Sequence, residues 1–198
     1  MRTVKIFMIV LVAARICVAA QAGGVQSGGA TTGAPEIFSA TAQAKNSLSA
    51  ASSKLEVRVS RYTPDFDRKT VEEALRLGGY PKFLIALRNA PEVGQLVLGG
   101  GTPFAIRYAR EKVEASGRTI VLVTDRPVFF IGTGRAEPTK PRSGYEVAVL
   151  QIQVDGAGQG RGTMAAAARV RPDGDGGVRL DDYAEAPIAL TELTRKPS

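Results

Sequence analysis

Residues 145–193 read YEVAVLQIQVDGAGQGRGTMAAAARVRPDGDGGVRLDDYAEAPIALTEL, a run of strand-length segments divided by turn residues. The segments are Tyr145 to Val154, Thr163 to Val170, Val178 to Tyr183 and Ile188 to Leu193. Asp155-Gly156 and Pro172-Asp173-Gly174 supply the residues that tight hairpin connections favour, because Gly and Asp tolerate left-handed backbone. Short strands joined by short turns pair with their neighbours in sequence, so the stretch predicts an antiparallel meander. Its first strand changes phase: the apolar face switches between Val149 and Ile152, as a β-bulge would cause.

The strand pattern continues toward the N-terminus. Gln95 to Leu98 is a short strand, and Phe104, Ile106 and Tyr108 alternate on the next. Thr119 to Thr124 is a nearly continuous apolar run, which predicts a strand covered on both faces. Val128 to Ile131 reads as a further short strand after Pro127. Residues 132–144 carry three Gly, two Pro and alternating charges, the composition of a long exposed loop. Upstream, Leu55, Val57 and Val59 alternate with Glu56, Arg58 and Ser60 on a half-buried strand ending before Pro64.

Between Pro64 and Pro91 the period changes to helical. Thr70 to Glu73 (TVEE) fits a capping box, and Gly78-Gly79 supplies a left-handed stop. Pro81 suits the first turn of a second short helix with Phe83, Leu84 and Leu87 as its apolar face. These patterns predict an α+β fold that is predominantly antiparallel β, with about seven to nine strands and one inserted pair of short helices. A curved sheet, a sandwich and a partly open barrel all satisfy them.

The N-terminal residues are of another kind. Arg2 and Lys5 precede an apolar stretch from Ile6 to Ala14, and small residues follow at Ala20 and Ala22, the three parts of a signal peptide. Nine apolar residues rise only about 14 Å as a helix, too short to span a bilayer core of about 30 Å. Cys17 suggests a lipidated N-terminus, but Arg15-Ile16 stand where that processing wants small residues. The expected division is therefore a signal peptide over 1–22, a flexible Gly/Ser/Ala-rich lead-in over 23–53, and one β-rich domain over 54–195. Within the lead-in, residues 36–53 fit an edge strand, a helix or a loop equally well.

Cleavage near Ala20 or Ala22 places the product in the periplasm or outside the cell, with no transmembrane span in the mature chain. It removes the only Cys and three cations, lowering the formal net charge from +7 to +4. No block of five basic residues occurs, so nucleic acid is not an expected partner. An anionic envelope component or another exported protein is the expected kind of partner.

The residue types exclude several chemistries. The chain has no His, so Ser-His-Asp and Cys-His catalysis cannot be assembled, nor can His-ligated zinc or haem. Leu98 to Thr102 (LGGGT) and Gly156 to Thr163 (GAGQGRGT) lack the Lys and following helix of a phosphate loop, and read as hairpin loops needing positive φ. Asp173 and Asp175 begin like a calcium loop, but Val178 and Ala184 occupy the positions that require Gly and Glu. Glu111 and Glu114 are separated by an odd spacing and face opposite sides of a regular strand. The five tyrosines read as packing residues at sheet margins rather than sugar platforms.

These exclusions favour an exported, non-catalytic binding or envelope-associated module without a cofactor. The alternative is a carboxylate-dependent glycosidase or lytic enzyme acting on envelope polysaccharide. Candidate binding loops are Gly99, Gly100, Gly101 and Thr102, together with Arg135, Lys140 and Arg142, because loops on a rigid sheet carry recognition.

Overall fold

The computed structural model describes residues 35–44, 52–128 and 142–196. The expected signal peptide, the first part of the lead-in, the segment Phe129 to Ile131 and the loop residues 132–141 lie outside the described residues. Nine strands are described: β1 (Glu36–Gln43), β2 (Ser52–Val59), β3 (Gly94–Leu98), β4 (Phe104–Glu114), β5 (Gly117–Thr124), β6 (Val147–Val154), β7 (Gln159–Pro172), β8 (Val178–Tyr183) and β9 (Ile188–Lys196). One helical element, α1 (Asp65–Asn89), connects β2 to β3.

The fold is mostly antiparallel β with one helix, and eight of its strands close into a barrel. Strands β1 to β7 pair in chain order, β7 pairs β9, and β9 returns to β1. Closure depends on the length of β7, which spans 14 residues. Its first half pairs β9 from Gln159↔Thr194 to Met164↔Ile188, while its second half pairs β8 from Ala168↔Tyr183 to Pro172↔Val178. The hairpin of β7 and β8 therefore leaves the barrel, and β9 is free to reach β1. The expected sandwich or partly open barrel is corrected to a closed one, in which every strand of the ring has a paired neighbour on each side, although β4 meets β3 only as far as Ile106.

The segment Glu36–Gln43, placed by composition in the flexible lead-in, is barrel strand β1 with partners on both sides. Its alanines caused the misreading. Phe38, Ala40 and Ala42 point inward, and small side chains are what an eight-stranded interior needs beside larger ones. Leu55, Val57, Leu96, Ile120, Leu122, Leu150, Ile152 and Met164 join them to fill the barrel.

A second apolar layer lies outside. Val71, Leu75, Phe83 and Leu87 of α1 pack with Val123, Val147, Val149 and Ala165 of the barrel wall and with Val170 and Val178 of the β7–β8 hairpin. This layer explains the apparent change of phase in β6. Ala148, Leu150, Ile152 and Val154 face inward throughout, and Val147 and Val149 are apolar because the outer layer covers them. A phase shift does occur in β4: an irregularity between Ile106 and Tyr108 sends Ile106 inward and Tyr108 outward, so these two do not share a face. The two-faced burial expected for β5 is present, with Ile120 and Leu122 inside and Val123 under the outer layer.

The helical pair is corrected to one element of 25 residues, kinked at Gly79. It begins at Asp65, before the expected capping box, and the Thr70 hydroxyl donates to the Phe66 carbonyl one turn back (2.9 Å) rather than capping. Asp65 and Asp67 place negative charge on the first turn, where the helix dipole favours it. Gly79 has φ 64 and ψ −166, a region open essentially to Gly alone, and Pro81 restarts the helix two residues later. The sequence signals for a stop and a restart are real, but they bend the helix instead of dividing it. Among the described residues no helix is long and apolar enough to cross a membrane.

Candidate functional site

The register of the wall strands builds a graded outer surface. Tyr108, Val123, Val149 and Ala165 are cross-strand neighbours and lie buried under α1 and the hairpin. Two residues along each strand, the next row is Arg110, Val121, Gln151 and Thr163. The row after that is Lys112, Thr119, Gln153 and Arg161. The wall thus turns from apolar to polar over two rungs, because the outer layer stops above it.

The β7–β8 hairpin stands at the side of these polar rows and makes them concave. Arg110 Nη1 lies 3.2 Å from Asp175 Oδ1 in the hairpin turn and 3.7 Å from Glu72 of α1, so it fastens both covering elements to the wall. The Lys112 ammonium is 3.8 Å from the other Asp175 oxygen, and Arg179 is 3.7 Å from Asp173. Burial opposes charge on Asp175, but the Gly177 amide and then Arg110 and Lys112 outweigh it and hold its pKa below the usual aspartate value. The acidic turn that resembles part of a calcium loop is thereby committed to cations of the protein itself. The resulting cleft holds about 410 Å³ and is lined by Thr119, Val121, Gln151, Gln153, Val178 and Leu180, among others. Through Glu114, Thr119 and Gln153 it continues into a hollow of about 360 Å³ that reaches Gln159 and Arg161.

A second cluster closes the lower end of the barrel. Arg118 donates to Glu36 Oε1 (2.5 Å) and to Glu111 Oε2 (3.0 Å), and the Tyr62 hydroxyl donates to Glu36 Oε2 (2.7 Å). Arg195 reaches Glu36 Oε1 as well, at 3.2 Å. Burial raises the pKa of Tyr62, and its hydrogen bond to Glu36 adds to the rise. Burial works against charge on both Glu36 and Arg118, yet their mutual hydrogen bond wins, lowering the pKa of Glu36 and raising that of Arg118. All of these groups are satisfied by one another, which marks a structural plug rather than a reactive centre.

The residues selected from sequence divide between several places. Gly99 to Thr102 form the exposed turn between β3 and β4, with positive φ at Gly99 (59) and Gly100 (73) only. Arg142 lies ahead of β6 at the same upper end of the barrel, its guanidinium 5.2 Å from the centre of the Tyr145 ring. Arg135 and Lys140 lie outside the described residues. In the second glycine cluster only Gly158 has positive φ, while Gly160 and Gly162 are β7 residues where a Cβ would strike the Gln153 and Gln151 carbonyls of β6. Glu111 accepts from Arg118 in the lower plug, and both Glu111 and Glu114 border the cleft, so the odd spacing expected to put them on opposite sides does not keep them apart. Tyr108 is fully buried and donates to Glu72 (2.7 Å), a packing role.

Sequence reasoning missed the cleft. Gln151 and Gln153 alternate with buried residues on β6, a signal of an exposed strand face, but the hairpin wall beside them comes from residues more than twenty positions away. No family model, curated protein or solved structure matches the chain.

Proposed function

We propose that this chain is an exported, non-catalytic binding module associated with the cell envelope, using the outer cleft between the barrel wall and the β7–β8 hairpin. The observation that carries the reading is the division between a barrel packed with side chains and a concave outer surface where Thr119, Gln151 and Gln153 stand among charged and apolar residues. Ligand sites are concave and bring polar groups together beside apolar surface, and the cleft sets Thr119, Gln151 and Gln153 beside Val121, Val178 and Leu180. Export rests on the signal-like residues 1–22, and the absence of His removes the common catalytic sets.

The glycosidase alternative asks for a carboxylic acid held protonated near neutral pH. Glu36, Glu56, Asp65, Asp175 and Asp182 all have pKa values moved downward by cations or hydrogen-bond donors, the opposite direction. Co-sedimentation of the purified chain with isolated, insoluble envelope polysaccharide tests the two readings together. The module reading expects retention in the pellet with no reducing ends released over hours. Release of reducing ends would replace it with the glycosidase, and a chain left wholly in the supernatant would remove the envelope polysaccharide as partner.

A further inference from the structure

From the geometry of the outer cleft we infer that it is a subsite for a linear, uncharged, hydroxyl-rich chain, an oligosaccharide of neutral sugars; this rests on the binding-module reading and specifies its ligand. Three observations converge on that class. The first is charge. The cleft and the hollow continuous with it are lined by five cations and five carboxylates, so this surface is neutral on a chain of net charge +7. Five of these charges lean on one another, Arg110 and Lys112 on Asp175 and Arg179 on Asp173. An anionic polymer would have to displace those carboxylates, whereas a neutral ligand leaves the pairs in place.

The second is the chemistry of the groups left over. Thr119, Gln151 and Gln153 lie on adjacent strands of the wall, with Ser116 and Gln159 in the continuing hollow. A side-chain amide offers donors and an acceptor together, the pairing that vicinal hydroxyls require. Val121, Val178 and Leu180 provide apolar surface beside them for the C–H faces of a sugar ring.

The third is the backbone. Wall strands β5 and β6 are each hydrogen-bonded on both sides, while β4 beyond Ile106 pairs with β5 alone, so the ladder across the middle of the cleft holds no free edge for an extended peptide. Strand addition, the usual main-chain mode of peptide capture, is closed along this floor. Recognition here must come from side chains above the sheet. The third row crosses four strands from Lys112 to Arg161, about 14 Å at a strand spacing of about 4.8 Å, so the surface is elongated rather than a pit.

The test is a titration of the ¹⁵N-labelled protein with neutral linear tetrasaccharides, namely β-1,4-glucan, β-1,3-glucan and β-1,4-N-acetylglucosamine tetramers. Polygalacturonate and a glutamine-rich extended peptide serve as the anionic and peptide arms. The expected result is saturable amide shifts at Thr119, Gln151 and Gln153 with at least one neutral tetramer. A Gln151→Ala/Gln153→Ala variant with unchanged melting temperature should bind that tetramer at least tenfold more weakly. Silence with all three tetramers, shifts confined to other faces, or binding only by polygalacturonate or the peptide would each overturn the inference. Polysaccharide retention that persists in the double variant would overturn the cleft assignment while leaving the module reading standing.

Discussion

At the scale of single residues, the charges of this protein are consumed by structure more than displayed. Arg118 serves two carboxylates and lies 6.0 Å from the Phe38 ring, so it plugs the lower end of the barrel with its charge satisfied. The cost of removing one member follows from what it leaves behind. Glu36→Gln keeps the shape but loses the ion pair, and should destabilise the fold by about 1–2 kcal/mol at neutral pH, less than for a fully buried pair. The pH dependence has a definite sign. The folded pKa of Glu36 is below its ordinary value of 4.5, so the unfolded chain takes up the proton first as pH falls. Its stabilising contribution is complete above 4.5 and is lost as pH drops through the folded value. The difference in urea stability between wild type and Glu36→Gln should therefore be largest at pH 7 and shrink below pH 4.5. A difference that stays constant to pH 3 would show that Glu36 acts through packing alone.

At the scale of elements, the helix shows which sequence signals survive folding. Gly78-Gly79 and Pro81 were legible as a break because they limit the backbone wherever they stand. Their outcome, a kink rather than two helices, depends on Val71 and Leu75 before the bend and Phe83 and Leu87 after it docking on one outer layer. Gly79 is the position that makes the bend possible, so Gly79→Ala should lower stability by about 1–3 kcal/mol, the usual cost of a non-Gly residue in such a region. Elsewhere in a helix the same exchange stabilises by up to about 1 kcal/mol, so thermal unfolding gives a sign as well as a size. A rise in melting temperature would mean that the kink relaxes without penalty. The strands obey the same division between local and distant causes. Meander pairing was legible because turns such as Asp155–Gly158 are local, with Asp155 Oδ1 accepting from the Ala157 and Gln159 amides. The outward face of β6 was misread because its cover comes from α1, some sixty residues away. The cleft was illegible for that reason too: its wall and its flank meet only after the hairpin has folded back.

At the scale of the whole molecule, closure is the feature no local pattern announces. β1 and β9 are separated by about 150 residues, yet Ile37↔Lys196 and Phe38↔Arg195 are register partners. Ile37 and Lys196 therefore lie roughly 5 Å apart across one ladder, although they stand near opposite ends of the sequence. Pairing ends so far apart must await most of the chain, which predicts slow folding for the chain's size. It also predicts that the covalent gap between β9 and β1 is incidental to the barrel. A permuted chain that joins residue 196 to residue 36 through a short glycine linker closes that gap without moving a strand. New termini between Gly100 and Gly101 fall in an exposed turn, where two positive-φ glycines already interrupt the ladder. The eight-strand ring, the filled interior and the outer cleft all remain in such a chain, since none uses the cut peptide bond. It should unfold cooperatively within a few degrees of the parent, and fold faster because β9 and β1 become neighbours in sequence. Loss of cooperative unfolding, or association into larger species by size-exclusion chromatography, would show that the Gly99–Thr102 turn must be intact for the β3–β4 pairing to form.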